Sequence, residues 1–181
     1  MNFGYVSSMS AELKSQEKGL RFLESGKFVS DEMVNSLPAE FDWRSLGKVS
    51  PIKNQGACGS CWAFTTIEVI ESHVAINSDQ MIELAPQQLV DCAKNPLHCG
   101  GTGGCSGLIP EIGYNYAQLF GLVGEVKMPY QAKEQECTYD ASKIKPDVKL
   151  DGYEKLPEND YNSVMWYLVN KGISYPTFAN Y

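Results

Sequence analysis

The sequence predicts an α+β fold that is mainly helical, with one long core helix and only a short piece of β structure. After Cys61, apolar residues recur over 63–74 at the spacing of a single helix face. Two further helices are expected to begin at Pro86 and Pro110, because the fixed φ angle of proline suits the first helical position. Residues 173–178 are interpreted as the beginning of a strand near the end of the chain.

The N-terminal 36 residues are polar and carry only a weak helical pattern, formed by Leu13, Leu20 and Leu23. A boundary is expected near Leu37, because Pro38 favours extended and accessible chain. Such chain is readily cleaved by proteases.

The long helix is expected to end near Asn77, with residues 78–79 as the break. The second helix should carry Leu89 and Val90 inward and finish at Cys92.

Residues 95–107 contain five glycines and two cysteines, which predicts an irregular loop held by covalent bonds rather than by a core. The helix that begins at Pro110 should stop at Gly121. Three further segments are expected after it: extended chain over 123–139, a short strand over 149–155, and a helix over 160–170 closed by Gly172.

Length and composition indicate a globular chain of about one domain. The 181 residues are 43% hydrophobic and 20% charged, which is ordinary for a globular protein. The net charge of −7 argues against a nucleic-acid partner, which would favour a basic surface. No run of 18 apolar residues exists, so no membrane span is expected, and six cysteines indicate an oxidising environment.

The start of the long helix is where a cysteine nucleophile would be placed. Cys61 falls on the first turn, where unpaired backbone N–H groups and the positive dipole end stabilise a thiolate. Before it, Gly56 and Gly59 allow the backbone to turn tightly. Gln55 carries an amide donor that could reach an oxyanion forming beside the sulfur.

This segment, Gln-Gly-Ala-Cys-Gly-Ser-Cys-Trp at 55–62, resembles the active-site motif of the papain and cathepsin cysteine proteases. The resemblance implies that Cys61 is the nucleophile, that Gln55 is the oxyanion-hole side chain and that Cys58 is half of a disulfide. The alternative is a redox pair formed by Cys58 and Cys61, but the βαβ setting of thioredoxin-like proteins is missing.

The resemblance extends over residues 37–181, because 37–44 look like the start of a mature enzyme and 89–92 match the family. It implies a papain-like fold, present here mainly as the helical left-hand domain with only the beginning of the β-barrel domain. Residues 1–36 are then a prosegment remnant, and 37–181 the N-terminal part of the peptidase domain. A disordered leader is the alternative for 1–36.

By the same resemblance, Cys58 pairs with Cys105 and Cys92 pairs with Cys137. With the nucleophile kept free, this leaves Cys99 over. Our hypothesis is that Cys99 bridges to a cysteine in a part of the protein outside this chain.

The resemblance also indicates a substrate cleft. The family has a Cys-x-Gly-Gly segment whose backbone pairs with an extended peptide, and here Leu108 replaces the second glycine after Gly107. A leucine in the cleft wall would affect the close approach of substrate. Gly59 is included among the substrate-binding residues, and Ile109 and Pro110 are expected to line a pocket for an apolar side chain. The alternative is that Ile109 and Pro110 only lead into the next helix.

A cysteine protease needs a general base beside the thiol. His73 lies twelve residues after Cys61 on the same predicted helix, hence about 18 Å away along the axis. His98 lies in the glycine-rich loop with nothing to orient it. In the papain pattern the histidine and asparagine follow the nucleophile by about 130 to 150 residues, which falls beyond Tyr181. The expectation is therefore a truncated enzyme that lacks its base and shows no useful turnover alone.

A zinc site is an alternative interpretation of four residues that are potential zinc ligands: Cys92, His98, Cys99 and Cys105. The spacing lacks a Cys-x-x-Cys or His-x-x-x-His pair, and the disulfide pairing uses two of the four ligands. No metal and no cofactor are expected.

The function that follows is a cysteine endopeptidase acting on unfolded polypeptides through a thioester at Cys61. The alternative is a non-catalytic remnant that binds peptides or proteases. Expected partners are polypeptide substrates, the protein's own prosegment and cystatin-like inhibitors, with no nucleic acid. The expected location is the lysosome, the vacuole or the extracellular space, although residues 1–14 do not resemble a signal peptide.

Counting thiols by intact mass before and after reduction tests the cysteine assignment. We expect the isolated chain to carry two thiols outside disulfides, Cys61 and Cys99. A chain that is fully oxidised apart from Cys61 would contradict the hypothesis for Cys99.

Overall fold

The computed structural model describes residues 29–173, which form a helical unit around one central helix. Its elements are α1 (Asp31–Asn35), a 3-10 turn (Trp43–Leu46), α2 (Cys61–Ser78), α3 (Pro86–Cys92), α4 (Pro110–Phe120) and α5 (Tyr161–Asn170). Within residues 29–173 the β structure consists of isolated bridges, which join Gly59 to Ser106, Leu84 to Gly124 and Leu122 to Val148. None of the helices in this range is both long and apolar enough to cross a membrane.

The central helix α2 is buried along most of its length. Trp62 is only 2% exposed, and Ala63 and Ile67 are fully buried in the hydrophobic core. The helix begins at Cys61 as predicted, and it ends where Asp79 adopts a left-handed conformation with φ of 57°. Burying this much apolar surface is the main force that fixes α2 within the fold.

The packing of α2 against α4 depends on the absence of a side chain at Gly113. A Cβ atom there would lie 2.5 Å from the Oγ1 atom of Thr66, well inside van der Waals contact. Thr66 is fully buried and donates its hydroxyl proton to the carbonyl of Trp62, so it has little freedom to move.

The short helix α3 begins at Pro86 as predicted, and all seven of its residues are buried. Gln88 links this helix to the chain that follows α4. Its Nε2 atom donates to the carbonyl of Gly121 at 3.1 Å, and its Oε1 atom accepts the N–H of Val123 at 2.8 Å. These bonds satisfy a buried amide and backbone groups that would otherwise be costly to bury.

Two disulfides brace the unit, and they join the pairs that the family resemblance implies. Cys58 is bonded to Cys105 and Cys92 to Cys137, closing segments of 47 and 45 residues. In the chain-entropy account, cross-links of this span each stabilise the folded state by about 4 kcal/mol. Cys61 and Cys99 lie outside both disulfides.

The short strand expected over 149–155 is not seen as a strand in the described range, where this stretch holds one bridge residue, Tyr153. The neighbouring chain instead makes a single bridge, in which Leu122 donates to the carbonyl of Val148 at 2.7 Å. One isolated bridge leaves most backbone groups here without strand partners, so the segment stays irregular. The strand expected over 173–178 lies outside the described residues except for Ile173, and so does the stretch 1–28.

The described part of the expected prosegment remnant, 29–36, packs against α5. Val29 is buried, and the Nδ2 atom of Asn162 donates to the Oδ1 atom of Asp31 at 2.6 Å. Next along the chain, the indole of Trp43 donates to the carbonyl of Leu168 at 2.8 Å. The N-terminal part of the described chain therefore packs against α5, the last described helix.

We predict that Gly113→Ala destabilises the protein by up to about 2 kcal/mol. Overpacking a core costs about 1–3 kcal/mol, and the better helix propensity of alanine returns only about 1 kcal/mol of that. Urea unfolding measures the effect. Gly124→Ala is the control, because a Cβ there meets nothing closer than 3.5 Å. Equal stabilities of the two variants would contradict the tight contact between α2 and α4.

Candidate active site

Cys61 is the first residue of α2 and its side chain is exposed. The preceding residue, Ser60, places its backbone carbonyl as acceptor for the N–H groups of Ala63 and Phe64. The side chain of Ser60 makes no capping hydrogen bond at the start of α2. The thiol therefore stands at an uncapped helix N-terminus, where the dipole and nearby N–H groups favour an anion.

Gln55 lies in the turn that leads into this helix. Its Nε2 atom donates one proton to the carbonyl of Cys58 at 2.8 Å. A primary amide carries two protons on this nitrogen, so the second remains for another acceptor. The turn itself requires Gly56, whose φ of 61° is the left-handed conformation that glycine adopts without strain.

The backbone before α2 lies directly against the loop over 95–107. Gly59 donates its N–H to the carbonyl of Cys105 at 3.0 Å, beside the disulfide from Cys58 to Cys105. A Cβ atom at Gly59 would stand 2.5 Å from that carbonyl oxygen. Only glycine fits at this position.

The loop over 95–107 is ordered by an asparagine that sequence reasoning missed. The Nδ2 atom of Asn95 donates to the carbonyls of Cys99 and Gly101, while its Oδ1 atom accepts the N–H of Cys99. The indole of Trp62 also donates to the carbonyl of Gly104 at 3.1 Å. An asparagine at the start of a glycine-rich stretch was the available signal, because asparagine side chains often bond to nearby backbone.

Three of the residues expected in the substrate cleft lie where this loop meets α4. Leu108 is 7% exposed and packs in the hydrophobic core, so its side chain does not form an exposed wall. Ile109 is the N-cap residue of α4 and is partly buried, and Pro110 is the buried first residue of the helix. Gly107, just before them, is partly exposed.

The two histidines of the sequence lie on the central helix and in the glycine-rich loop. The Nε2 atom of His73 lies 3.0 Å from the carbonyl oxygen of Ile173, and its position on α2 is three turns from Cys61. His98 donates its backbone N–H to the carbonyl of Asn95 in the glycine-rich loop. His73 therefore has a structural contact, and none of the contacts above involves the imidazole of His98.

The zinc alternative does not fit the observed bonding. Cys92 and Cys105 are each committed to a disulfide and cannot supply thiolate ligands. Among residues 29–173, no group of three or more histidine, cysteine or acidic side chains could hold a metal ion.

A residue without an assigned role in the sequence, Tyr130, contacts both sides of the turn before Cys61. Its hydroxyl donates to the carbonyl of Gln55 at 2.8 Å and lies 2.6 Å from the Oγ atom of Ser60. Its ring packs edge-on against Phe64, with centroids 4.8 Å apart. The local sequence around Tyr130 does not predict these contacts, because Tyr130 and its partners are about 70 residues apart in the chain.

Tyr130 lines a pocket of about 150 Å³, whose lining also includes the charged residues Lys53, Glu83 and Glu125. Lys53 also forms an ion pair at 2.9 Å with Glu71, whose side chain is fully buried. The second oxygen of Glu71 accepts the N–H of Leu84 at 2.7 Å. A buried carboxylate of this kind persists only because it is paired and hydrogen-bonded.

Glu125 is less well satisfied than Glu71. Its Oε1 atom accepts the N–H of Tyr130 at 2.7 Å, but its buried Oε2 atom has no hydrogen-bond partner among the described residues. Burial raises the pKa of Glu125 above its usual range, while the bond from Tyr130 acts in the opposite direction. Burial likewise raises the pKa of Glu68 on α2.

We predict that Glu125→Gln flattens the dependence of stability on pH. A raised pKa means that the Glu125 carboxyl binds more protons in the folded state than in the unfolded state. The free energy of unfolding of the parent protein therefore falls as pH rises from about 4.5 through the folded pKa. The variant lacks that loss and should gain stability relative to the parent between pH 4 and pH 7, as measured by urea unfolding.

Glu40→Gln makes the same charge change at an exposed position and controls for net charge. If the parent and Glu125→Gln curves stay parallel over this range, the burial of the Glu125 carboxyl has no effect on stability.

Comparison with known proteins places these features in a family. Residues 37–179 match the family described as papain family cysteine protease. The chain is 39% identical over 152 residues to vignain from Vigna mungo, covering 83% of this chain and 40% of that protein. It is 41% identical over 135 residues to a cathepsin L-like proteinase from Phaedon cochleariae, covering 75% of this chain and 40% of the relative.

The fold is also similar to solved structures. A digestive procathepsin L2 proteinase from Tenebrio molitor larval midgut matches with a TM-score of 0.66 and 39% identity, over 75% of this chain and 42% of that one. The chain thus spans about two fifths of the length of the curated relatives named above.

Proposed function

The chain belongs to the papain family of cysteine proteases, and from that premise we propose that it carries the nucleophile-bearing part of a cysteine endopeptidase. Its fold is papain-like, and the described residues correspond to the helical left-hand domain. The single observation that carries the proposal is the position of Cys61. An exposed thiol outside any disulfide stands at the uncapped start of a buried helix, six residues after Gln55.

In the proposed reaction, the Cys61 thiolate attacks the carbonyl carbon of a peptide bond. A carbon–sulfur bond forms, and the carbonyl π electrons move to the oxygen. The free proton of the Gln55 amide and the N–H groups at the start of α2 are the donors that would stabilise this oxyanion. Collapse breaks the carbon–nitrogen bond, the amine leaves with a proton, and water then hydrolyses the thioester.

The general base in this scheme comes from outside the chain. The full sequence has two histidines, and His73 is held three helical turns from Cys61 while His98 lies in the glycine-rich loop. A separate stretch of polypeptide would supply the imidazole and the group that orients it. The isolated chain is therefore proposed to be inactive in turnover.

We assign substrate binding to the partly exposed backbone between Cys105 and α4. An extended peptide would pair with backbone groups near Gly59 and Gly107, which need no side chain for this contact. The burial of Leu108 supports this, because its side chain packs in the core and does not project into the proposed cleft. Ile109 and Pro110 would border the position of an apolar substrate side chain.

The proposed partners are polypeptide substrates, the protein's own prosegment and cystatin-like inhibitors. The proposed location is the lysosome, the vacuole or the extracellular space, and the two disulfides support an oxidising compartment. No cofactor enters the proposed reaction, since the thiol and amide groups supply its chemistry.

We predict that Gln55→Ala lowers peptidase kcat by about 10²–10³, because one oxyanion donor is lost. Cys61→Ser should lower it further, by at least about 10³-fold. The measurement is hydrolysis of a peptide amide by the protein together with the stretch of polypeptide that supplies the base. Gln135→Ala, a change at an exposed glutamine, is the control and should leave the rate unchanged.

Chemical labelling tests the nucleophile without requiring turnover. Iodoacetamide at pH 5 should modify Cys61 in preference to Cys99, as read by peptide mass spectrometry, because Cys61 is exposed whereas Cys99 is partly buried. Equal labelling of both cysteines would overturn the role of Cys61. With the base-bearing stretch of polypeptide present, a protein that labels at Cys61 but hydrolyses no peptide would support a binding function instead.

A further inference from the structure

We propose that Tyr130 is a positioning residue that fixes Gln55 relative to Cys61. This inference rests on the function proposed above, because it concerns how the oxyanion donor and the nucleophile are held together. Three features support this role: the contacts of the Tyr130 hydroxyl, the flexibility of the turn that it spans, and the rigid support of its ring.

The hydroxyl of Tyr130 joins the two ends of one turn. Its single proton is donated to the carbonyl of Gln55 at 2.8 Å. The hydroxyl of Ser60 must then act as donor in the 2.6 Å contact with the Tyr130 oxygen. Ser60 is fully buried and directly precedes Cys61, so this bond connects the residue before the nucleophile to the residue that holds the amide.

The turn needs such a connection because its own backbone is permissive. Between Gln55 and Ser60 the chain contains Gly56 and Gly59, and glycine restricts backbone rotation less than any other residue. The disulfide at Cys58 fixes the middle of the turn to the neighbouring loop. The Tyr130 hydroxyl is what links its first and last residues to each other through one atom.

Tyr130 can serve this role because it is itself held in place. Its ring packs edge-on against Phe64, a buried residue of α2, with centroids 4.8 Å apart. Its backbone N–H is donated to Glu125 at 2.7 Å. The hydroxyl is therefore supported from the same helix that carries the thiol.

The functional consequence concerns a single oxygen atom. An oxyanion donor acts only when it lies about 2.7–3.1 Å from the position that the oxyanion occupies. Gln55 and the start of α2 must therefore converge on one point beside Cys61. A turn released from Tyr130 would keep the thiol but lose this convergence.

Tyr130→Phe tests the inference, because it removes the hydroxyl and keeps the ring. Two probes of the protein expressed from its own reading frame separate the roles. A peptide aldehyde forms a carbon–sulfur bond to Cys61 and needs oxyanion donors, whereas iodoacetamide alkylates the thiolate without forming an oxyanion. Aldehyde affinity is measured as protection of Cys61 against alkylation, so no peptidase turnover is required.

We expect aldehyde affinity to fall about fivefold in Tyr130→Phe, the effect of one lost hydrogen bond, while the alkylation rate stays within about twofold. Tyr139→Phe is the matched control, because that hydroxyl bonds only to the carbonyls of Phe120 and Ile144 among the contacts described for it. It should lose comparable stability and keep the parent affinity for the aldehyde.

Equal aldehyde affinities in the two tyrosine variants would overturn the positioning role and leave a structural one. If Tyr130→Phe does not fold, Ser60→Ala removes one of the two bonds, and unchanged aldehyde affinity there overturns the inference. Failure of the proposed function looks different, because the parent protein itself would then show no protection of Cys61 by the aldehyde.

Discussion

The burial of the first turns of α2 is the constraint on which the rest of this structure depends. Trp62 and Ala63 are enclosed in the core, so the residue before them, Cys61, is fixed at the surface where the helix starts. The proposed nucleophile is therefore located by apolar packing on its C-terminal side. The hydrogen bonds and the disulfide on its N-terminal side then arrange polar groups around a position that the core has already set.

The helices could be predicted closely because their signals are local. Pro86 and Pro110 begin helices where the rigid ring is tolerated, and Gly121 ends one in a positive-φ conformation. The start of α2 at Cys61 followed from the apolar spacing after it. The strand expected over 149–155 failed, because pairing depends on where a distant segment lies, and that chain makes only isolated bridges.

The candidate site was predictable only in part. Cys61 and Gln55 stand in a short motif that the sequence displays directly, and the two disulfide pairs followed from the family resemblance. Asn95 carries no such label, and Tyr130 stands in a Pro-Tyr pair that resembles the family without indicating what the tyrosine contacts. Tyr130 meets the turn before Cys61 from about 70 residues away, and sequence spacing alone does not encode that meeting.

The disulfide beside the nucleophile has a chemical consequence of its own. Cys61 follows Cys58 by three residues, a separation at which a thiolate can exchange with a neighbouring disulfide and transfer the bridge to itself. Exchange needs access to a sulfur along the S–S axis, and Cys58 is only 2% exposed. The core that holds α2 thus also shields the Cys58 half of the bridge, so a thiol outside the disulfides and an oxidised cystine can coexist at close quarters.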